Sequence, residues 1–242
     1  MEIEYLKRMD RIIKKAGTKD PDDVLAFMGY EYVDCGDSIP GFIAKCKTGV
    51  FYSVNKNLSK TKYAFASFHE AFHGICGHLD TPGFLTNGFH TDDFINRRLI
   101  ASTEKEANIG ASDVLIDTVQ FLEMTGYDSA DVQAYIKSVE SFEKAASDYQ
   151  NHLDIVQSIG ASDYRIQRMQ AYQRDLYAMY KELQEQAADI SNTGVCLTRS
   201  ELAAEFNVPE FIIDYKFEAM SVRKYKVPSV ELPTYDKVFG SW

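Results

Sequence analysis

His69-Glu70-Ala71-Phe72-His73 has the form H-E-x-x-H. On a helix, residues four apart share a face, so His69 and His73 can present two imidazoles to one metal ion. Neutral imidazole suits Zn²⁺, and Glu70 follows the first ligand where a carboxylate reaches a metal-activated water. This is the chemistry of carbonyl hydrolysis. The metal draws the pKa of the water towards neutrality, and the glutamate takes its proton during attack. The plain alternative is two packed or surface histidines of an ordinary helix, so a third ligand has to be sought.

A catalytic zinc site has three protein ligands and one open position. Three residues are candidates for the third. His78 follows His73 by five residues, off the shared face if the helix continues. It also misses the spacing of H-E-x-x-H-x-x-G-x-x-H by one residue. His90 falls in an irregular stretch, as a transition-state donor or as a simple loop histidine. Glu104 stands 31 residues after His73, on another predicted helix, with Asn108 four residues later on the same face. Thr103 followed at +3 by Glu106 reads as a capping box, which gives Glu106 a structural role, with that of a reserve ligand behind it, and leaves Glu104 available. Cys76 reads as a buried core thiol, with an inhibitory thiolate as the alternative.

The elements that must position these residues can be read from the pattern. Residues 2–16 carry Ile3, Leu6, Met9, Ile12 and Ile13 at helical spacing and stop at Lys14-Lys15-Ala16-Gly17. Asp20-Pro21 opens a short second helix. Tyr30–Val33, Gly41–Lys45 and Val50–Asn55 are β-like runs separated by Gly and Pro. The last of them, with Tyr52 as a substrate or transition-state contact, is expected to wall the site and to offer its edge to a substrate backbone. The metal helix is predicted from about Ser59 to Cys76, with Phe65, Phe68 and Phe72 as its buried face and Gly74 or Gly77 as its stop. Residues 79–100 read as an irregular cover over a cleft, followed by a helix starting near Ser102 or Thr103.

From residue 128 the pattern changes. Tyr135, Val139, Phe142, Ala146, Tyr149, Leu153 and Val156 recur in steps of three and four. Gly160-Ala161-Ser162-Asp163 interrupts the rhythm, which Met169, Tyr172, Leu176, Met179, Leu183, Ala187 and Ile190 resume. Residues 128–190 are therefore predicted to form two long antiparallel helices, a structural hairpin or else an arm for homodimerisation or partner capture. Thr198 with Glu201 caps a helix over 197–206, and Glu210–Met220 forms another after Pro209. The pair has a helix-turn-helix outline. Its second helix carries Glu210, Asp214 and Glu218 against Lys216, which suits a structural or protein-binding module and not a DNA reader. Residues 221–242, with Pro228 and Pro233, read as extended.

Composition sets the outer limits. The chain has 242 residues, 45% of them hydrophobic, with 36 acidic against 26 basic residues and a formal charge of −10. These values fit a folded globular protein and leave no basic surplus for phosphates, and the elements read above make it α+β, predominantly helical. No apolar run is long enough for a membrane span, and four scattered cysteines point to a reducing, cytoplasmic setting. Three segments are expected: a core over 1–125, the hairpin insertion over 126–192, and a C-terminal module with its tail over 193–242.

His69-Glu70-Ala71-Phe72-His73 followed by Glu104-Lys105-Glu106-Ala107-Asn108 resembles the ImmA/IrrE family of zincin-like metallopeptidases, which pairs H-E-x-x-H with E-x-x-A-N/D on the next helix. A strand ending in Val54-Asn55 and the paired helices at 197–220 extend the likeness over residues 1–120 and 195–242. The resemblance implies a zincin-like core holding Zn²⁺ through His69, His73 and Glu104. It makes Glu70 the general base and Asn108 a hydrogen-bond partner of a ligating histidine. It further implies site-specific cleavage of a DNA-binding repressor, often a helix-turn-helix protein of a mobile element or stress regulon. The alternative is an antirepressor that keeps the metal fold and sequesters its partner through the hairpin without cleavage. The chain departs from the family at Phe72, where glycine is frequent, and at Ile109-Gly110-Ala111-Ser112, where a bulky aromatic usually appears.

Overall fold

Each helix of the N-terminal region ends where its local chemistry stops it. The computed structural model describes residues 1–36, 40–80, 94–159, 162–193 and 198–225. Helix α1 (Ile3–Ala16) closes on Gly17, whose N–H donates to the Ile13 carbonyl, with Lys14 and Lys15 in the last turn. Helix α2 (Pro21–Phe27) starts at Asp20, whose carboxylate accepts from the Asp22 and Asp23 amides. Strands β1 (Tyr30–Tyr32), β2 (Gly41–Cys46) and β3 (Gly49–Val54) form one sheet in the order β1-β3-β2, with β3 parallel to β1 and antiparallel to β2. The expected substrate edge therefore moves. β3 is the central strand with both edges paired, and β2 borders the sheet.

Helix α3 (Lys60–Ile75) carries the H-E-x-x-H sequence and packs on β2 and on helix α4 (Phe94–Leu115). Phe68 and Phe72 are buried as expected, whereas Phe65 is half-buried and turns to an edge-to-face contact with Phe211. Gly77 follows α3, and a short 3₁₀ turn spans His78–Asp80. The expected irregular stretch is shorter than 79–100, because α4 already begins at Phe94. Arg97, Arg98, Leu99, Ile100 and Ala101 favour helix and no Pro or Gly interrupts them, so Thr103 sits mid-helix and caps nothing. Residues 81–93, the Gly160-Ala161 break and the 226–242 tail lie outside the described residues.

Helix α9 (Glu210–Val222) packs along α4. Lys216, fully buried, donates to Asp113 Oδ1 at 2.9 Å and to Thr118 Oγ1 at 3.0 Å. Arg223 donates through Nε to Asp113 Oδ2 at 3.0 Å and through Nη2 to Asp10 Oδ2 at 2.9 Å. A buried carboxylate with two cationic partners holds α4 in place, and stripping either partner leaves charge uncompensated. Lys216, the one cation read on that helix, is committed to Asp113 and not to a phosphate.

By chain contacts the protein divides into one unit of Met1–Thr118 with Phe206–Lys226 and another of Val119–Glu205 with Val227–Trp242. The second unit contains helix α5 (Thr118–Met124, from the boundary), α6 (Ala130–Ile159), α7 (Asp163–Ser191) and α8 (Arg199–Glu205). The 30 residues of α6 extend about 45 Å. Phe142 meets Tyr180 and Tyr149 meets Tyr172, so α7 runs back along α6. The predicted seam is the one that packs: Tyr135, Phe142, Tyr149, Leu176, Leu183 and Ile190 are its buried members. At α8, Thr198 Oγ1 accepts from the Glu201 amide while Glu201 Oε2 accepts from the Thr198 amide, a complete capping box. No helix of the described residues is long and apolar enough to cross a membrane.

Candidate metal centre

One turn of α3 separates His69 from His73, and their Nε2 atoms converge to 2.9 Å. Glu104, on α4, reaches both: Oε2 lies 3.2 Å from His69 Nε2 and Oε1 lies 3.5 Å from His73 Nε2. Donors about 2.0–2.1 Å from a tetrahedral zinc stand ~3.3 Å from one another, so this triangle has the size of one face of such a site. Asn108, one turn after Glu104, accepts from His69 Nδ1–H at 2.8 Å, which leaves the Nε2 lone pair of His69 facing the triangle. The close approach of α3 to α4 has a packing cause. A Cβ on Gly110 would lie 2.3 Å from Phe72 Cδ1, so the Phe72 ring occupies the space that a side chain at 110 would need. The two departures from the family pattern thus fit each other.

The electrostatics separate the roles. Burial pushes the Glu70 carboxyl up to about 7, and the neighbouring Glu104 charge adds to the rise. Burial pulls His73 down to about 3, with help from His69, so it is neutral and keeps a lone pair for a cation. Burial also opposes the charging of His69, but its hydrogen bond to Glu104 and the Glu70 charge outweigh this and raise it. Glu104 is held low, chiefly by that same bond to His69. Burial drives the Cys76 thiol up to about 12.

A cleft of about 440 Å³ opens at this point, lined among others by Pro40, Gly41, Phe65, His69, Glu70 and Glu104. A Cβ at Gly41 would lie 3.0 Å from Glu70 Oε1 and 3.3 Å from the Ser53 carbonyl, so any other residue there would push the carboxylate back by a few tenths of an ångström. Tyr52 is not brought to the cleft. It is buried, and its hydroxyl donates to Asp22 Oδ1 at 3.4 Å, beside Tyr63, whose hydroxyl reaches the same oxygen at 2.7 Å. Tyr52 therefore supplies no transition-state or substrate contact at the cleft. His90 lies outside the described residues.

Two residues had other expected roles. His78, set aside because of its spacing, is buried and stands with its Nδ1 2.9 Å from His73 Nδ1. Glu106, read as half of a capping box, accepts from His78 Nε2 at 3.0 Å. With Cys76 they form a second group of donors within 4.8 Å of one another. The only sequence signal for this arrangement was the i, i+2 placement of Glu104 and Glu106, which aims one at each side of the histidine pair.

The hairpin carries a larger cleft, about 490 Å³, lined by His152, Ile155, Arg165, Arg168, Met169 and Tyr172. Among the described residues no group of three metal donors forms there. Compared with protein-family models, curated proteins and solved structures, the chain matches none.

Proposed function

We propose that the protein is a zinc-dependent endopeptidase with a zincin-like core, acting in the cytoplasm on a protein substrate. The reading rests on one observation: two imidazoles and a carboxylate from two helices converge beside a buried glutamate at the floor of a cleft. The donor set is two neutral-capable imidazoles with one carboxylate, a combination that suits Zn²⁺ in hydrolytic sites. His69, His73 and Glu104 would hold the ion. When bound, it supplies Lewis acidity to a water and to a substrate carbonyl. Glu70 accepts the proton of the attacking water as the new C–O bond forms. It then passes that proton to the amine that leaves when the C–N bond breaks. Glu70, buried beside the three donors and lining the cleft, is placed for both steps.

Among the described residues β2 is an outer strand of the sheet and borders the cleft at Pro40, Gly41, Phe42 and Ile43, so an extended peptide laid along its outer edge would bring a carbonyl to Glu70. The charge of −10 favours a basic partner, and a DNA-binding repressor has that character. The resemblance to ImmA/IrrE peptidases points the same way.

The test compares purified wild type with Glu70→Gln for metal content and for cleavage of a library of proteome-derived peptides, read by mass spectrometry. The expected result is one zinc per chain in both, with products reduced roughly 10²–10⁴-fold in the variant. Equal cleavage by both proteins, or wild type that takes up no zinc, would sink the reading. A second reading, a binder that sequesters its partner without cleavage, draws on the hairpin cleft and on exposed Ile155 and Tyr164 nearby in sequence. It predicts a partner captured equally well by wild type and Glu70→Gln.

A further inference from the structure

The inference concerns the pair His78 and Glu106, and it rests on the metal-centre reading above. His73 can give Nε2 to a cation as a neutral imidazole only if its proton sits on Nδ1. That Nδ1 faces Nδ1 of His78 at 2.9 Å, and two N–H groups cannot point at each other. His78 must therefore accept at Nδ1, which places its own proton on Nε2. There Glu106 Oε2 waits at 3.0 Å as the acceptor. Given a cation at His73 Nε2, each of the three choices forces the next.

We propose that His78 and Glu106 form a positioning relay that fixes the tautomer and ring plane of His73 for the metal. On the other side of the centre Asn108 does the same for His69 at 2.8 Å, so each imidazole has its own acceptor. His78 is the stronger device of the two. It is buried, and it is held in turn by a carboxylate on the helix that supplies Glu104. The relay also decides between the two donor groups. A cation on Cys76, His78 and Glu106 that took the Nε2 lone pair of His78, the nitrogen beside Glu106, would move its proton to Nδ1 and reverse the bond to His73. His73 would then carry its proton on Nε2 and be lost to the first site. Only one of the two groups can be filled at a time, and the hydrolytic one retains its full set of three ligands when the relay runs from His73 to Glu106.

The experiment loads the full-length protein with Co²⁺ and follows affinity together with the paramagnetically shifted proton spectrum. Wild type should bind one Co²⁺ per chain and show two exchangeable Nδ1–H signals, one from His69 and one from His73. His78→Phe should lose or displace the His73 signal, keep the His69 signal, and bind Co²⁺ about 10–100-fold more weakly. His78→Gln offers an amide oxygen as acceptor and should recover most of that loss, and Glu106→Gln should move the His73 signal alone. Unchanged affinity and spectrum in His78→Phe and in Glu106→Gln would overturn the relay while leaving the metal centre standing. So would a second Co²⁺ per chain with a thiolate-to-cobalt absorption abolished by Cys76→Ser. Wild type that binds no Co²⁺ would overturn the metal centre itself.

Discussion

The unit that holds the histidines and the unit that forms the hairpin both bury apolar side chains, but the first adds a set of buried polar and charged ones. Every buried polar or charged residue of the described chain except Thr125 belongs to the first unit, among them Glu70, His73, His78, Asp113 and Lys216. The hairpin buries aliphatic and aromatic side chains along one seam. Hydrocarbon burial is non-directional and tolerates a shift of a few tenths of an ångström, whereas the bonds around His73 are specific in both distance and proton placement. The first unit adds to its apolar core contacts that depend on which atom carries a proton, whereas the hairpin rests on its apolar seam. Substitutions should therefore separate the two: stability with little chemistry in one, chemistry with modest stability effects in the other.

The largest effect on stability is expected in the hairpin. Phe142→Ala removes a fully buried ring from the seam and should cost about 3–5 kcal/mol in chemical denaturation, while zinc content stays at one per chain. Loss of zinc in that variant would break the separation. Next comes the buried Glu70. The folded-state pKa of Glu70 is about 7 against an ordinary 4.5, so the folded, metal-free protein binds the proton more tightly than the unfolded chain. The associated stability is full below pH 4.5 and is lost as the pH rises through 7. Glu70→Gln should abolish this fall, stabilising metal-free protein at pH 8 by on the order of 3 kcal/mol and changing little at pH 4.5. Thermal melts at the two pH values would reveal it, and equal shifts at both would refute the assignment. The smallest of the three is Gly110→Ala. Its new methyl must displace the Phe72 ring, costing about 1–3 kcal/mol, and Phe72→Ala in the same chain should relieve part of that strain. Purely additive losses would show that the two residues do not share the space.

How far the fold could be read from sequence follows the same division. The hairpin was legible because a step of three or four needs no partner from elsewhere in the chain; Tyr135 to Ile190 could be written down from periodicity. The α8 cap was legible for the same reason, since Thr198 and Glu201 are three residues apart. In the first unit the residues that converge as candidate ligands, His69, His73 and Glu104, could be picked out by type and spacing. Their surroundings could not. His78 is 28 residues from Glu106, Lys216 is 103 from Asp113, and β3 takes the middle of its sheet through a parallel pairing with β1. Each of these is decided by which elements meet. Thr103 and Glu106 misled for the converse reason: a local pattern was present, but the preceding residues had already made helix.

The grip of α9 on α4 also has a consequence for how the protein is made. Asp113 is held by Lys216 and Arg223, and Arg223 bridges 213 residues back to Asp10. A ribosome adding ~5–20 residues per second needs on the order of 10 s to travel from Asn108 to Arg223, the whole hairpin included. Throughout that interval the helix carrying Glu104 lacks the two cations that anchor it. Nascent chains arrested before residue 206 should therefore bind zinc more weakly than chains extended past Arg223, which zinc titration of stalled and released chains would measure.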